Sequence, residues 1–176
     1  VLGLDPSVTS FGICIAPKDG LEKTFVIKSE ALKTGAPRVY DRINRYSAHL
    51  DNVMAVIKDL DPELVFIEGY SYGSKGQGML DLTEFGGLLR AKLLSTFKNI
   101  REIAPTSRIK YFTGKGNTAF DKFSQIVAVK YSRIFDSSDE TDAFVLAQMA
   151  KAYLGWVPVE NKYQLEIKQG IEADVL

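Results

Sequence analysis

The stretch that decides the fold is the first, Val1-Leu2-Gly3-Leu4-Asp5-Pro6-Ser7-Val8-Thr9-Ser10-Phe11-Gly12-Ile13-Cys14-Ile15, in which one aspartate separates two apolar runs. Val1–Asp5 and Phe11–Ile15 read as strands joined by a tight Pro-Ser-Val-Thr-Ser turn. A carboxylate at the end of a buried strand is costly unless something neutralises it. Asp5 therefore raises the question of what that something is.

Working outward, Ala16–Gly20 supplies a second turn and Thr24–Lys28 a third strand, so the chain opens as a meander. From Val39, the residues Val39, Ile43, Tyr46, Leu50, Val53, Ile57 and Leu60 step by four and three, an apolar stripe of helical period that Asp61-Pro62 stops. Glu63–Glu68 is a nearly continuous apolar run, which suits a central strand buried on both faces with Glu68 at its C-terminal end. A Gly-, Ser- and Tyr-rich loop over Gly69–Gly78 leads to a helix over Asp81–Phe97, where Gly86-Gly87 marks a close helix contact. Ile100–Ala104 and Ile109–Phe112 read as short strand material around Pro105, Thr113–Thr118 as a loop and Phe120–Arg133 as a helix. Ser137 and Glu140 fit a capping box, and Ala143, Leu146, Ala147, Ala150 and Leu154 follow as a small-residue stripe for tight packing. The expected fold is α/β, a mixed five-stranded sheet (a three-strand antiparallel meander plus parallel strands) flanked by helices. Residues 155–176 lack a strong period and read as an appendage to a domain over 1–154.

A chain of 176 residues with 45% hydrophobic and 25% charged content has globular proportions and the size of one domain. No apolar run approaches the ~20 residues that span a bilayer, no signal peptide is visible, and the single Cys14 forms no intrachain disulfide, so the expected compartment is the cytoplasm. Because the chain starts at Val1 rather than Met, the expectation is that a few native N-terminal residues are missing. Cys14 and His49, one of each type, cannot build a structural zinc site. The net charge of zero conceals a segregation: residues 71–133 carry 11 Lys/Arg against 4 Asp/Glu, interleaved with aromatics, while both flanks are acidic. That pattern suits a nucleic-acid surface, although solvated helix faces over an aromatic core give it too.

The carboxylates carry the chemistry. Asp5 and Glu68 end apolar strands, and if those strands are neighbours both point to one edge of the sheet, where ligands of open α/β sheets sit. Asp139 and Asp142, three apart, share one face of a helix start. Four converging carboxylates repel one another unless cations intervene, and oxygen-only ligands select hard ions, Mg²⁺ with Mn²⁺ as a substitute. Two such ions support phosphodiester cleavage. Taken singly, each residue has a plainer role: Asp5 in a turn, Glu68 at a strand end, Asp139 and Asp142 at a helix N-terminus.

With these residues in view, the chain resembles the RuvC Holliday-junction resolvases of the retroviral-integrase and ribonuclease H superfamily. Val1-Leu2-Gly3-Leu4-Asp5-Pro6-Ser7 with Thr9 and Phe11-Gly12 is similar to the family's opening strand and turn, Phe66-Ile67-Glu68 to its second acidic motif, and Asp139-Glu140-Thr141-Asp142-Ala143 to its closing helix. The resemblance implies a metal-dependent, structure-specific endonuclease that nicks four-way junctions, with Asp5, Glu68, Asp139 and Asp142 as ligands of two Mg²⁺ ions per subunit. It also implies basic residues near the scissile phosphate, here Lys110 and Lys122; Lys75 and Lys115, in the basic middle segment, are further expected DNA contacts. Ser71 stands near the place of the family's base-stacking aromatic, which passes that role to Tyr70 or Tyr72, and Ser7 replaces a usual glycine. Family members act as homodimers, and the Asp81–Phe97 helix, with Leu82, Phe85, Leu89 and Leu93, is the expected two-fold interface unless it packs on the sheet. A bacteriophage origin, in a bacterial host's cytoplasm, fits so short and divergent a relative. Three other readings stand beside this one: a ribonuclease H-like RNA-processing nuclease, an actin-like phosphate-binding fold for which 176 residues are too few, and a non-catalytic DNA scaffold.

Overall fold

A computed structural model describes residues 1–30, 39–70 and 77–173. The opening meander is β1 (Leu2–Asp5), β2 (Ser10–Ile15) and β3 (Lys23–Lys28), followed by α1 (Val39–Ile57), β4 (Val65–Glu68), α2 (Gln77–Thr96) and β5 (Ile100–Ile103). Four further helices follow: α3 (Pro105–Thr113), α4 (Phe120–Tyr131), α5 (Ser138–Tyr153) and α6 (Lys162–Ala173). The sheet order is β3-β2-β1-β4-β5. The β1–β2 and β2–β3 pairs are antiparallel, and β1–β4 and β4–β5 are parallel, as expected of the mixed sheet.

Strand alternation divides the core into two layers. Leu2, Leu4, Ile13, Val65 and Ile67 face α1 and α2, where they meet Tyr46, Leu50, Val53, Phe85 and Leu89. Gly3, Cys14 and Phe66 face the other way, toward α5. Helix α5 is buried along its whole length from Thr141 to Ala152, so its polar residues need internal partners. Gln148 donates to Glu22 Oε1 at 2.9 Å, and Lys151 pairs with the same carboxylate at 3.2 Å.

Glycine lets α5 lie this close. A Cβ on Gly3 would overlap the Ala143 carbonyl oxygen, and one on Gly12 would overlap the Asp139 carbonyl oxygen. Small residues on both sides, Gly3 and Gly12 against Ala143 and Ala147, bring the α5 backbone down onto β1 and β2.

Two expectations need correction, and the tail, for which no element was expected, gains a helix. The segment Ile109–Phe112 is helical rather than strand: Pro105 occupies the first turn of α3, where its missing N–H costs nothing, and Gly114 closes the helix at φ 75°. In residues 155–176, α6 packs beside α3 with Lys110 on Glu166 at 3.1 Å and Tyr163 against Gly114. Phe85, Leu89 and Leu93 are buried within the chain, packed on the sheet, and so are not at a two-fold surface. The outward side of α2 instead carries exposed Leu80 and Leu94.

Candidate metal centre

β1 and β4 run side by side with Leu4 opposite Ile67, so the next residues, Asp5 and Glu68, are neighbours at the C-terminal ends of two parallel strands. Both lie on the α5 side, by the alternation that turns Gly3 and Phe66 that way. Helix α5 starts directly above. Ser137 is its N-cap and accepts the Glu140 backbone N–H at 3.2 Å. The Glu140 carboxylate accepts from the Asp136 N–H rather than from Ser137, so the capping box closes one residue early.

The result is a three-carboxylate cluster. Asp5, Glu68 and Asp142 each offer an oxygen, all within 4.8 Å of one another, and Asp5 and Asp142 are buried. Among the described residues no other group of His, Cys, Asp or Glu converges in this way. Asp139 is close enough for its charge to be felt by Asp142, but its Oδ2 takes the Ser10 hydroxyl at 2.5 Å and it lies outside the cluster.

The electrostatics follow from crowding. Burial raises the Asp5 pKa well above the usual carboxylate range, and the neighbouring Glu68 and Asp142 push it the same way. Asp142 is pushed up to about 7, by burial first, against the pull of Arg108 and with the help of Glu68 and Asp139. A set of hard oxygen donors under this mutual repulsion is suited to a small divalent cation, so the residues present fit the ion that the sequence implies.

The residue that the sequence reading missed is Arg108. It is buried on α3, its Nε donates to Glu68 Oε1 at 2.8 Å, and its Nη1 donates to Asp142 Oδ1. Burial opposes its charge, yet Glu68, Asp142 and Asp5 together raise its pKa. A helical reading of residues 105–113 would have revealed it, because Arg108, Tyr111 and Phe112 share the inner face of α3 at spacings of three and four.

Lys110 carries its ammonium to Glu166, and Lys115 and Lys122 are exposed, in the α3–α4 loop and on the first turn of α4. Tyr70 follows the cluster directly, with the Arg90 guanidinium over its ring at 4.2 Å and its hydroxyl edge against Gly86. The close contact of the Gly86-Gly87 pair is therefore with Tyr70, through Gly86 alone. Tyr72 and Lys75 lie outside the described residues.

The raised carboxylates make a pH dependence with a definite sign. A group that binds its proton more tightly folded than unfolded stabilises the fold at low pH, and that contribution is lost as pH rises toward the folded pKa. Without divalent ions, the melting temperature contributed by this cluster should therefore rise as pH falls from about 7 toward about 4. Added Mg²⁺ competes with those protons, so it should stabilise the protein strongly above about pH 7 and little near pH 5. Melting curves across that range with and without Mg²⁺ read this directly, and an ion effect that does not change with pH would contradict it.

Comparison with known proteins gives one consistent result. Residues 1–149 match the family described as Crossover junction endodeoxyribonuclease RuvC. The Campylobacter hominis protein of that name is 28% identical over 151 residues, covering 84% of this chain and 92% of the relative. The Aliarcobacter butzleri protein of the same name is 24% identical, covering 84% and 94%. Among solved structures, Thermus thermophilus RuvC superposes with a TM-score of 0.60 at 19% identity, over 88% of this chain and 95% of that one. A second structure, T. thermophilus RuvC in complex with Holliday junction substrate, gives 0.59 at 16% identity, over 98% and 93%.

Proposed function

This chain belongs to the RuvC family of crossover junction endodeoxyribonucleases, and we propose that it resolves four-way DNA junctions at the Asp5–Glu68–Asp142 cluster with Mg²⁺, two ions per subunit, Mn²⁺ substituting. The observation that carries this reading is the convergence of three carboxylates from two parallel strand ends and one buried helix, where uncompensated negative charge would only repel DNA.

Asp5, Glu68 and Asp142 would hold the divalent ions, whose charge would offset that of a scissile phosphate and would lower the pKa of a bound water. The chain's own contribution is rigidity. Asp5 and Glu68 are fixed by the β1–β4 ladder, and Asp142 by a helix buried on all sides. Asp139, oriented by Ser10, is assigned as the fourth ligand at the rim. Lys110, Lys115 and Lys122, with Lys75, are assigned to DNA phosphates, and Tyr70 or Tyr72 to stacking on an unpaired base. For Tyr70 only the ring face away from Arg90 serves, because the other already holds the guanidinium.

The working unit is proposed to be a homodimer. On α2, Leu80, Thr83, Gly87, Ala91 and Leu94 are exposed and recur at spacings of three and four, a low apolar ridge on the side away from the sheet. The proposed compartment is the cytoplasm, and no described helix is long and apolar enough to cross a membrane.

The test is a substrate panel in Mg²⁺: labelled four-way junction, Y-shaped DNA, linear duplex and RNA–DNA hybrid, with the mass in solution measured alongside. The expected outcome is paired nicks in the four-way junction, little cutting of linear duplex, and a dimer mass. Preferential cleavage of the hybrid by a monomer would favour the RNA-processing reading instead.

A further inference from the structure

Arg108 stands on the ground that a metal ion needs. Its guanidinium bonds to Glu68 Oε1 at 2.8 Å and to Asp142 Oδ1, two of the three carboxylates in the cluster. The Phe123 ring lies 5.2 Å from its central carbon, and the side chain is only 6% exposed. Neither contact is incidental, since a buried guanidinium is tolerated only where its charge and its N–H groups are matched. Each oxygen that accepts an N–H from Arg108 has a lone pair committed, and a divalent ion beside a guanidinium in a buried site is repelled by it.

We propose that Arg108 is a competing counter-cation of the metal site, so that a divalent ion enters by displacing its guanidinium from Glu68 and Asp142. The proposal rests on the reading of the cluster as a metal centre. It goes further, because it makes the ion affinity of this chain a property of a fourth side chain that is not a ligand. Displacement moves one long side chain rooted on α3, and it exchanges one positive charge for two at the three carboxylates. The competition also sets the direction of every Arg108 substitution: whatever removes the positive charge strengthens ion binding, and whatever keeps it does not.

The experiment is Mn²⁺ titration of the full chain by calorimetry, without DNA, for wild type, Arg108→Gln and Arg108→Lys. Arg108→Gln is expected to bind Mn²⁺ about tenfold more tightly than wild type or better, and Arg108→Lys, which keeps the charge, to stay near wild type. Equal or weaker binding by a folded Arg108→Gln overturns the proposal. A readout on the wild-type protein stands apart from the folding of any variant. The Arg108 side-chain Nε–H signal, assigned by its loss in Arg108→Lys, should shift as Mg²⁺ is titrated in. If wild type binds the ion while that signal stays unmoved, the displacement is wrong and the metal centre stands. If wild type binds no divalent ion at all, both fail together.

Discussion

Replacing Asp5 by Asn is expected to reduce nicking of a four-way junction by on the order of 10³-fold or more while leaving the fold intact, and replacing Glu68 by Gln to reduce it as much with some loss of stability, because Arg108 then keeps only Asp142 as a charged hydrogen-bond partner. The magnitude reflects several kcal/mol of transition-state charge stabilisation lost with a ligand, at about 1.4 kcal/mol per tenfold. The fold is retained because Asp5 is a buried carboxyl with its pKa already raised by burial and by Glu68. Asn has the shape of its protonated form, with an amide that hydrogen-bonds Glu68 where the carboxyl does. Relief of repulsion within the cluster should make the variant at least as stable as wild type when no divalent ion is present. A nicking assay beside a melting curve checks both halves. A variant that is folded and nicks at near wild-type rate would make Asp5 a turn residue.

The second large effect lies in the contact that delivers Asp142. Gly12→Val sets a branched side chain into the space of the Asp139 carbonyl, at the point where α5 begins its path over the sheet. Because the obstruction is backbone rather than a flexible side chain, α5 must move, at a cost on the order of 3 kcal/mol or more. The same movement carries Asp142 away from Asp5 and Glu68, so activity should fall by more than the loss of folded protein accounts for. Gly170→Val, on the exposed side of α6 where a Cβ meets nothing within 4 Å, is the matched control and should leave the melting temperature almost unchanged. Chemical denaturation of the two variants gives the comparison. Equal, small losses would mean that α5 is not seated by the glycines of β1 and β2.

These two contacts also mark what the sequence alone discloses. The meander and β4 were legible because their apolar runs are dense and end in punctuation, Asp5-Pro6 in one case and Glu68-Gly69 in the other. The same punctuation singled out Asp5 and Glu68, for a charge is conspicuous only against an apolar background. Asp139 and Asp142 share a helix face as their spacing requires, but the spacing does not say that Ser10 holds the first while the second reaches the strand ends. Arg108 stayed hidden because Ile109–Phe112 has the composition of a strand, and only the proline at the start of α3 and the glycine at its end decide otherwise. The stripe Phe85, Leu89 and Leu93 has one spacing whether it covers a sheet or a partner, so its destination had to come from the packing. In α6 the apolar signal is thin, Ile167 and Ile171 with Gly170 between them, and the helix is held by its contacts with α3.

The most direct test of the metal centre separates binding from cutting in the wild-type protein. A gel-shift titration with four-way junction DNA, run beside a nicking assay, is carried out in EDTA, in Ca²⁺ and in Mg²⁺. Ca²⁺ is larger and tolerates looser geometry than Mg²⁺, so it should neutralise the three carboxylates and tighten junction binding while supporting little cleavage. Mg²⁺ should give both, and EDTA weak binding with none. Nicking that persists in EDTA would contradict the account.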